Sequence, residues 1–147
     1  MEIEIREIEE KDYPAATALL VNELFDNKFN GDYVAPFFNK TKHNKNYITF
    51  VALMNNNVVG LISAVTFLWT VSDKNNMYIQ GFVVKNEFQN KGIGTKLLKH
   101  LEAYANTKGI IGIGLCSGFR RTAAHACYEK NGYSNCTQYF GKILNPI

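Results

Sequence analysis

The sequence predicts an α+β fold: a mixed, mostly antiparallel central sheet with helices on both faces. Three observations carry this. Apolar runs of strand length recur along the chain, separated by amphipathic helical stretches. Asparagine-rich turns at 55–57 and 72–76 join consecutive strand-like runs and imply antiparallel hairpins. A strand–helix–strand succession over 77–117 implies a parallel pair with a crossover helix. Hairpins combined with one crossover make the α+β pattern.

The elements follow in order. EIEIREI (2–8) alternates charged and apolar residues and reads as a half-buried strand. Residues 10–27 read as a helix, with Asp12 as N-cap and Pro14 inside the first turn. Leu19, Leu20, Glu23 and Leu24 follow at helical spacing. Phe29, Tyr33, Phe37 and Phe38 punctuate 28–46, where a short helix is expected in a loop-rich segment. YITFVAL (47–53), VVGLISAVTFLWTV (58–71) and MYIQGFVV (77–84) form a three-strand meander. A helix over about 92–107 places Ile93, Leu97, Leu98, Leu101 and Ala105 on one face. IIGIGLCS (110–117) is the next strand, with Cys116 in its core. A helix over about 120–130 stops at Asn131-Gly132. Residues 133–144 are expected to close the chain as one or two strands.

A chain of 147 residues suits a single domain, 1–147, and shows no repeat or linker. Its 46% hydrophobic and 20% charged residues are those of an ordinary soluble protein. A net charge of +3 with scattered lysines lacks the basic stripe of a nucleic-acid binder. The most apolar run, 58–71, is too short to span a bilayer, and the N-terminus has no signal-peptide core, so no membrane partner is expected. Three cysteines without a C-x-x-C pair point to a reduced, cytoplasmic setting. His43, His100 and the cysteines show no zinc spacing, and no metal is expected.

The stretch FVVKNEFQNKGIGTKLLKHLEAYA (82–105) carries the chemistry. A strand runs into a glycine-rich turn that opens an amphipathic helix. The first N–H groups of a helix lack internal acceptors, and the macrodipole adds positive potential there. That combination suits a phosphate. Gly92 and Gly94 remove side chains that would hold a ligand off the backbone, and Lys91 adds charge. A glycine pair can also serve only to fit a tight turn. The pattern is neither a Walker A loop nor a full G-x-G-x-x-G.

QNKGIG (89–94) resembles the [RQ]-x-x-G-x-[GA] signature of the GNAT superfamily, the acyl-CoA-dependent N-acetyltransferases. AAHACYEKNGYS (123–134) is similar to that family's second motif, and the order of elements agrees over essentially the whole chain. The resemblance implies a GNAT-like fold and acetyl-CoA as cosubstrate. It implies that Phe82, Val83 and Val84 present backbone groups to the pantetheine arm. It implies that Gln89, Asn90, Lys91, Gly92, Ile93, Gly94 and Thr95 face the pyrophosphate. Gln89 stands where an arginine is more frequent. Arg121 replaces a frequent asparagine, which points it toward a CoA phosphate instead.

Acetyl transfer to an amine needs a neutral amine, a stabilised oxyanion and a proton for the leaving thiolate. By resemblance Tyr128 gives that proton, and a phenol with a pKa of about 10 holds it at neutral pH. Relatives often carry a carboxylate base near the end of the fourth strand, where this chain has Gln80 and Gly81. Glu23, Asp26 and Gln80 are the candidate substrate contacts, beside the aromatic segment 24–38. His125 and Cys127 lie two apart and do not share a helix face. The leading expectation is an N-acetyltransferase acting on a primary amine of a small molecule in a ternary complex. A peptide or protein amine as acceptor, and a non-catalytic acyl-CoA sensor, stay open. A homodimer is a family expectation only.

Overall fold

The computed structural model describes residues 2–145, in two compact units, Met1–Leu115 and Cys116–Ile147. The first unit holds a five-stranded sheet in the order β1-β2-β3-β4-β5: Glu4–Glu7, Tyr47–Met54, Asn57–Leu68, Asn75–Val84 and Ile113–Leu115. The first four strands pair antiparallel and β4 pairs parallel with β5, so the sheet is mixed and mostly antiparallel as expected. Asn55 and Asn56, at φ 51° and 63°, form the two-residue turn between β2 and β3. Asparagine adopts such left-handed backbone more readily than most residues, which is why an Asn pair can close this hairpin.

Two sets of helices cover the two faces. On one side lie α1 (Tyr13–Ala18), its continuation over Leu19–Leu24, and α2 (Val34–Thr41). Tyr13, Ala16, Leu19, Val34 and Phe38 pack there with Val51, Leu53, Leu61 and Val83. The Tyr13 and Phe38 rings stack with centroids 5.3 Å apart. On the other side α3 (Ile93–Thr107) buries Ile93, Leu97, Leu98, Leu101 and Ala105, the face its periodicity predicts. Phe50 meets the rings of His100 and Tyr104 on that side. Truncating a leucine such as Leu101, which is fully buried, costs about 2–5 kcal/mol.

Residues 10–27 are not one regular helix. A 3-10 turn, Glu10–Asp12, precedes α1, and Leu19–Leu24 widens into a π-helix. The Phe25 N–H reaches back five residues to the Leu20 carbonyl at 3.0 Å. Asp26 and Asn27, at φ 50° and 60°, end it. Asp12 stands at the N-cap position of α1, as expected, but its side chain makes no capping bond to the helix. Its carboxylate turns back to accept the Glu9 N–H at 2.8 Å and binds Arg6, so it is committed upstream.

The second unit contains α4 (Thr122–Lys130), stopped by Gly132 at φ 89°. The strands expected over 133–144 do not form; 133–145 has no ladder partner, and Phe140, Ile143 and Leu144 are exposed. β5 is also shorter than 110–117, and Cys116, expected in the strand core, lies beyond it and is exposed. A strand-like segment becomes a strand only where another edge takes its backbone groups.

Candidate active site

The site is built where β4 ends. Ser63 of β3 pairs with Gly81 and Ala64 pairs with Ile79, so Gln80 is the extra residue of a β-bulge. Bulges bend a strand and increase its twist. The β4–β5 ladder stops at the same point: Met77, Tyr78 and Ile79 pair with Ile113, Gly114 and Leu115, and the pairing ends there. β4 runs on to Val84 with β3 along one edge. The expected strand 82–84 therefore lies past the point where the two parallel strands part. The bulge was missed from sequence, although an isolated glycine inside a strand pattern, Gly81, is its ordinary signal.

A 3-10 turn, Asn86–Phe88, leads from β4 into the glycine turn. Gln89 braces it. Its side-chain amide donates to the Val84 carbonyl and to Asn86 Oδ1, both at 3.0 Å. The Gln89 N–H itself bonds the Asn86 carbonyl at 3.2 Å, so the turn uses this residue internally. Asn90 and Gly92 take left-handed backbone, at φ 60° and 81°. A Cβ added to Gly92 would meet no atom within 4 Å, so the backbone faces open space. The Lys91 ammonium lies over the Phe88 ring, 5.4 Å from its centroid.

Gly92 caps α3. The first bond of the helix runs from the Lys96 N–H to the Gly92 carbonyl at 3.1 Å. The N–H groups of Ile93 and Gly94 precede it and have no acceptor four residues back within the helix. The amide groups of a helix start, open space over a glycine and an adjacent lysine fit an anionic diphosphate.

Tyr128 lies on α4 and is buried. Burial pushes its phenol above the ordinary value near 10, while the Arg121 charge pulls it down more weakly. Arg121 directly precedes α4, and its N–H bonds the Gly118 carbonyl at 3.1 Å. His125 Nε2 lies 3.2 Å from Ser117 Oγ, a tie within the unit.

Among the candidate substrate contacts, Gln80 is exposed at the bulge and Asp26 is exposed beyond the π-helix. Glu23 lies on the π-helix and is half-buried, with Oε2 enclosed and lacking a hydrogen-bond partner. Leu20 of the same segment lies 3.5 Å from where a Gly81 Cβ would stand, which brings the π-helix against β4. Glu87 is ion-paired with Lys85 at 2.8 Å.

A sheet parted at a bulge and followed by a glycine-capped helix places the chain in the acetyltransferase class of α+β folds. The fold is shared with a transcriptional regulator from Bacillus halodurans C-125, at TM-score 0.90 and 20% identity, over 97% of this chain and 100% of that one. It is shared with the aminoglycoside acetyltransferase meta-AAC0020 from an uncultured soil metagenomic sample, at TM-score 0.84 and 23% identity, over 97% of each chain. A GNAT family acetyltransferase from Staphylococcus aureus matches at TM-score 0.79 and 23% identity, over 98% of this chain and 100% of that one. The family model described as acetyltransferase (GNAT) matches residues 3–133, and the chain belongs to that family. No curated protein matches the sequence. Among the described residues, no helix is long and apolar enough to cross a membrane.

Proposed function

We propose that the protein is an N-acetyltransferase that moves an acetyl group from acetyl-CoA to a primary amine of a small molecule by direct attack in a ternary complex. The observation that carries this reading is the glycine turn. The N–H groups from Asn90 to Thr95, opened by Gly92 at φ 81°, offer a cradle for the pyrophosphate. Gln89 holds the cradle to the end of β4 through the Val84 carbonyl. The backbone of Phe82, Val83 and Val84 orients the pantetheine arm and polarises the thioester carbonyl. Lys91 and Arg121 add positive charge toward the phosphates.

Acetyl-CoA supplies the thioester, whose acyl carbon takes the amine. Tyr128 gives its phenolic proton to the departing sulfur. Burial keeps that proton in place through neutral pH, as a general acid requires. Gln80, at the bulge, is an amide and cannot take the amine's proton, so the nitrogen enters in its neutral fraction or loses its proton to water. In this reading 1–147 acts as one catalytic domain in the cytoplasm, with acetyl-CoA and the amine as partners.

A small-molecule acceptor is supported by the aminoglycoside acetyltransferase among the structural neighbours. The neighbour described as a transcriptional regulator favours a second reading, a regulatory acyl-CoA sensor. Release of free CoA from acetyl-CoA decides between them. It is measured with small alkylamines, an aminoglycoside and a lysine-containing peptide. Release that depends on a small amine supports the first reading. Tight acetyl-CoA binding with no release in any mixture supports the sensor.

A further inference from the structure

We propose that Glu23 anchors an ammonium group of the acceptor other than the nitrogen that is acetylated, so that the acceptor carries at least two amines. This rests on the acetyltransferase reading and adds the acceptor's charge pattern.

The starting point is an unsatisfied atom. Glu23 Oε2 is enclosed by protein and has no hydrogen-bond partner. A buried polar oxygen left without a donor is costly, and native structures keep few such groups. The residue as a whole is half-buried, so part of its side chain meets solvent. Its χ1 and χ2 torsions have other staggered wells, so the carboxylate can swing out of the enclosed position toward solvent. The carboxylate can therefore meet a donor that arrives from outside.

The nearby cation does not satisfy it. Lys85 Nζ is held by Glu87 Oε1 at 2.8 Å. Glu87 is the main reason this ammonium titrates above its ordinary value, and Glu23 adds a weaker pull from farther off. Lys85 is thus committed to Glu87, and the donor position at Glu23 stays open to a ligand.

The location supports a role in acceptor binding. Glu23 lies on the π-helical segment Leu19–Leu24, whose Leu20 abuts β4 at Gly81, beside the Gln80 bulge. Single π-helical turns are rare and often mark functional sites.

The chemistry decides which nitrogen binds there. A carboxylate within about 4–6 Å favours the protonated form of an amine. A nitrogen held by Glu23 therefore stays an ammonium and has no lone pair with which to attack. The attacking nitrogen is a different one, and the acceptor is at least a diamine.

The test compares 1,4-diaminobutane with butylamine and 1-butanol on the wild type and on Glu23→Gln, which keeps the shape and removes the charge. Melting temperature is measured with CoA present. The diamine should raise that of the wild type more than butylamine does, 1-butanol should do nothing, and the diamine's advantage should vanish in E23Q. In steady state with acetyl-CoA, E23Q should raise KM for the diamine at least tenfold, with kcat within about threefold and butylamine unaffected. Equal protection of both proteins by the diamine, or no protection of the wild type, overturns the proposal. So does a melting temperature of E23Q well below wild type without ligand, because the carboxylate would then be structural. Acetyl-CoA binding is measured separately by calorimetry. Its absence would overturn the acetyltransferase reading, while the melting shifts would still judge the Glu23 subsite.

Discussion

Arg6 grips Asp12 with two hydrogen bonds, Nη1 to Oδ2 at 2.7 Å and Nη2 to Oδ1 at 3.1 Å, and so fastens β1 to the entry of α1. The Asp12 side chain is nearly enclosed, with 6% exposure, and the arginine more open, with 21%.

The guanidinium holds the Asp12 carboxyl below its ordinary value, chiefly through these hydrogen bonds, against the opposing effect of burial. A depressed carboxyl pKa stabilises the fold fully above the unfolded value, about 3.9, and that contribution is lost as pH falls through the lower folded value. Arg6→Ala leaves a buried carboxylate without its cation and should cost about 3 kcal/mol at pH 7. Urea midpoints measured from pH 7 to pH 2 should fall less steeply in R6A than in the wild type. Parallel acid slopes in the two proteins would show that the pair does not govern acid stability.

Gly94→Asp separates folding from binding. An acidic residue in the first turn of a helix interacts favourably with the macrodipole, so α3 should be no less stable. The same charge repels a pyrophosphate. Calorimetric titration with acetyl-CoA should show affinity at least tenfold weaker, about 1.4 kcal/mol, with melting temperature maintained. Unchanged affinity would remove the glycine turn from the cofactor site.

Tyr128→Phe keeps the ring and deletes only the phenolic oxygen. A general acid contributes about 10²–10⁴-fold. Turnover should drop by that factor while acetyl-CoA affinity changes little. Turnover within a factor of two of wild type would make the tyrosine a packing residue.

The pH dependence of kcat/KM with butylamine should follow the amine. An alkyl ammonium with a pKa of about 10.4 is neutral in about one molecule per thousand at pH 7.4. The profile should rise with unit slope well past pH 8. Burial raises the Tyr128 pKa, so loss of the general acid lies above pH 10 and does not cut the rise short. A plateau starting near pH 7 that disappears in Glu87→Gln or His125→Gln would reveal a protein base.

The parts that were legible from sequence are those where side-chain period and backbone geometry agree. The five apolar positions of α3 and the asparagine turn at 55–56 are such cases. The glycine turn was legible because Gly92 meets a backbone requirement, a left-handed helix cap. What was not legible depends on partners. The residues expected as strands over 133–144 have no ladder partner, and β5 loses its neighbour where β4 bends away. The π-helix depends on the Phe25 N–H choosing the Leu20 carbonyl, which no spacing of apolar residues announces. Glu23 and Asp26 are equivalent candidates in the sequence, and only packing around Glu23 Oε2 distinguishes the two.

The bulge at Gln80 also divides β4 into two phases. Ile79 is paired with Ala64, whereas Gly81, two residues later, is paired with Ser63 on the opposite face. Met77 and Ile79 thus point to the α3 side, and Gly81 and Val83 point to the α1 side, although all four are odd-numbered. Deleting Gln80 would set Gly81 next to Ile79 just as Ser63 is next to Ala64, so the ladder would become regular without any change of partners. Every side chain from Gly81 to Val84 would keep its face, and what would be lost is the bend and extra twist that the bulge gives β4 where the two parallel strands part. β4 therefore carries one residue that its pairing does not need. The core and the glycine turn would stay in register without it, and its contribution is to the shape of the strand at the site rather than to the order of its contacts.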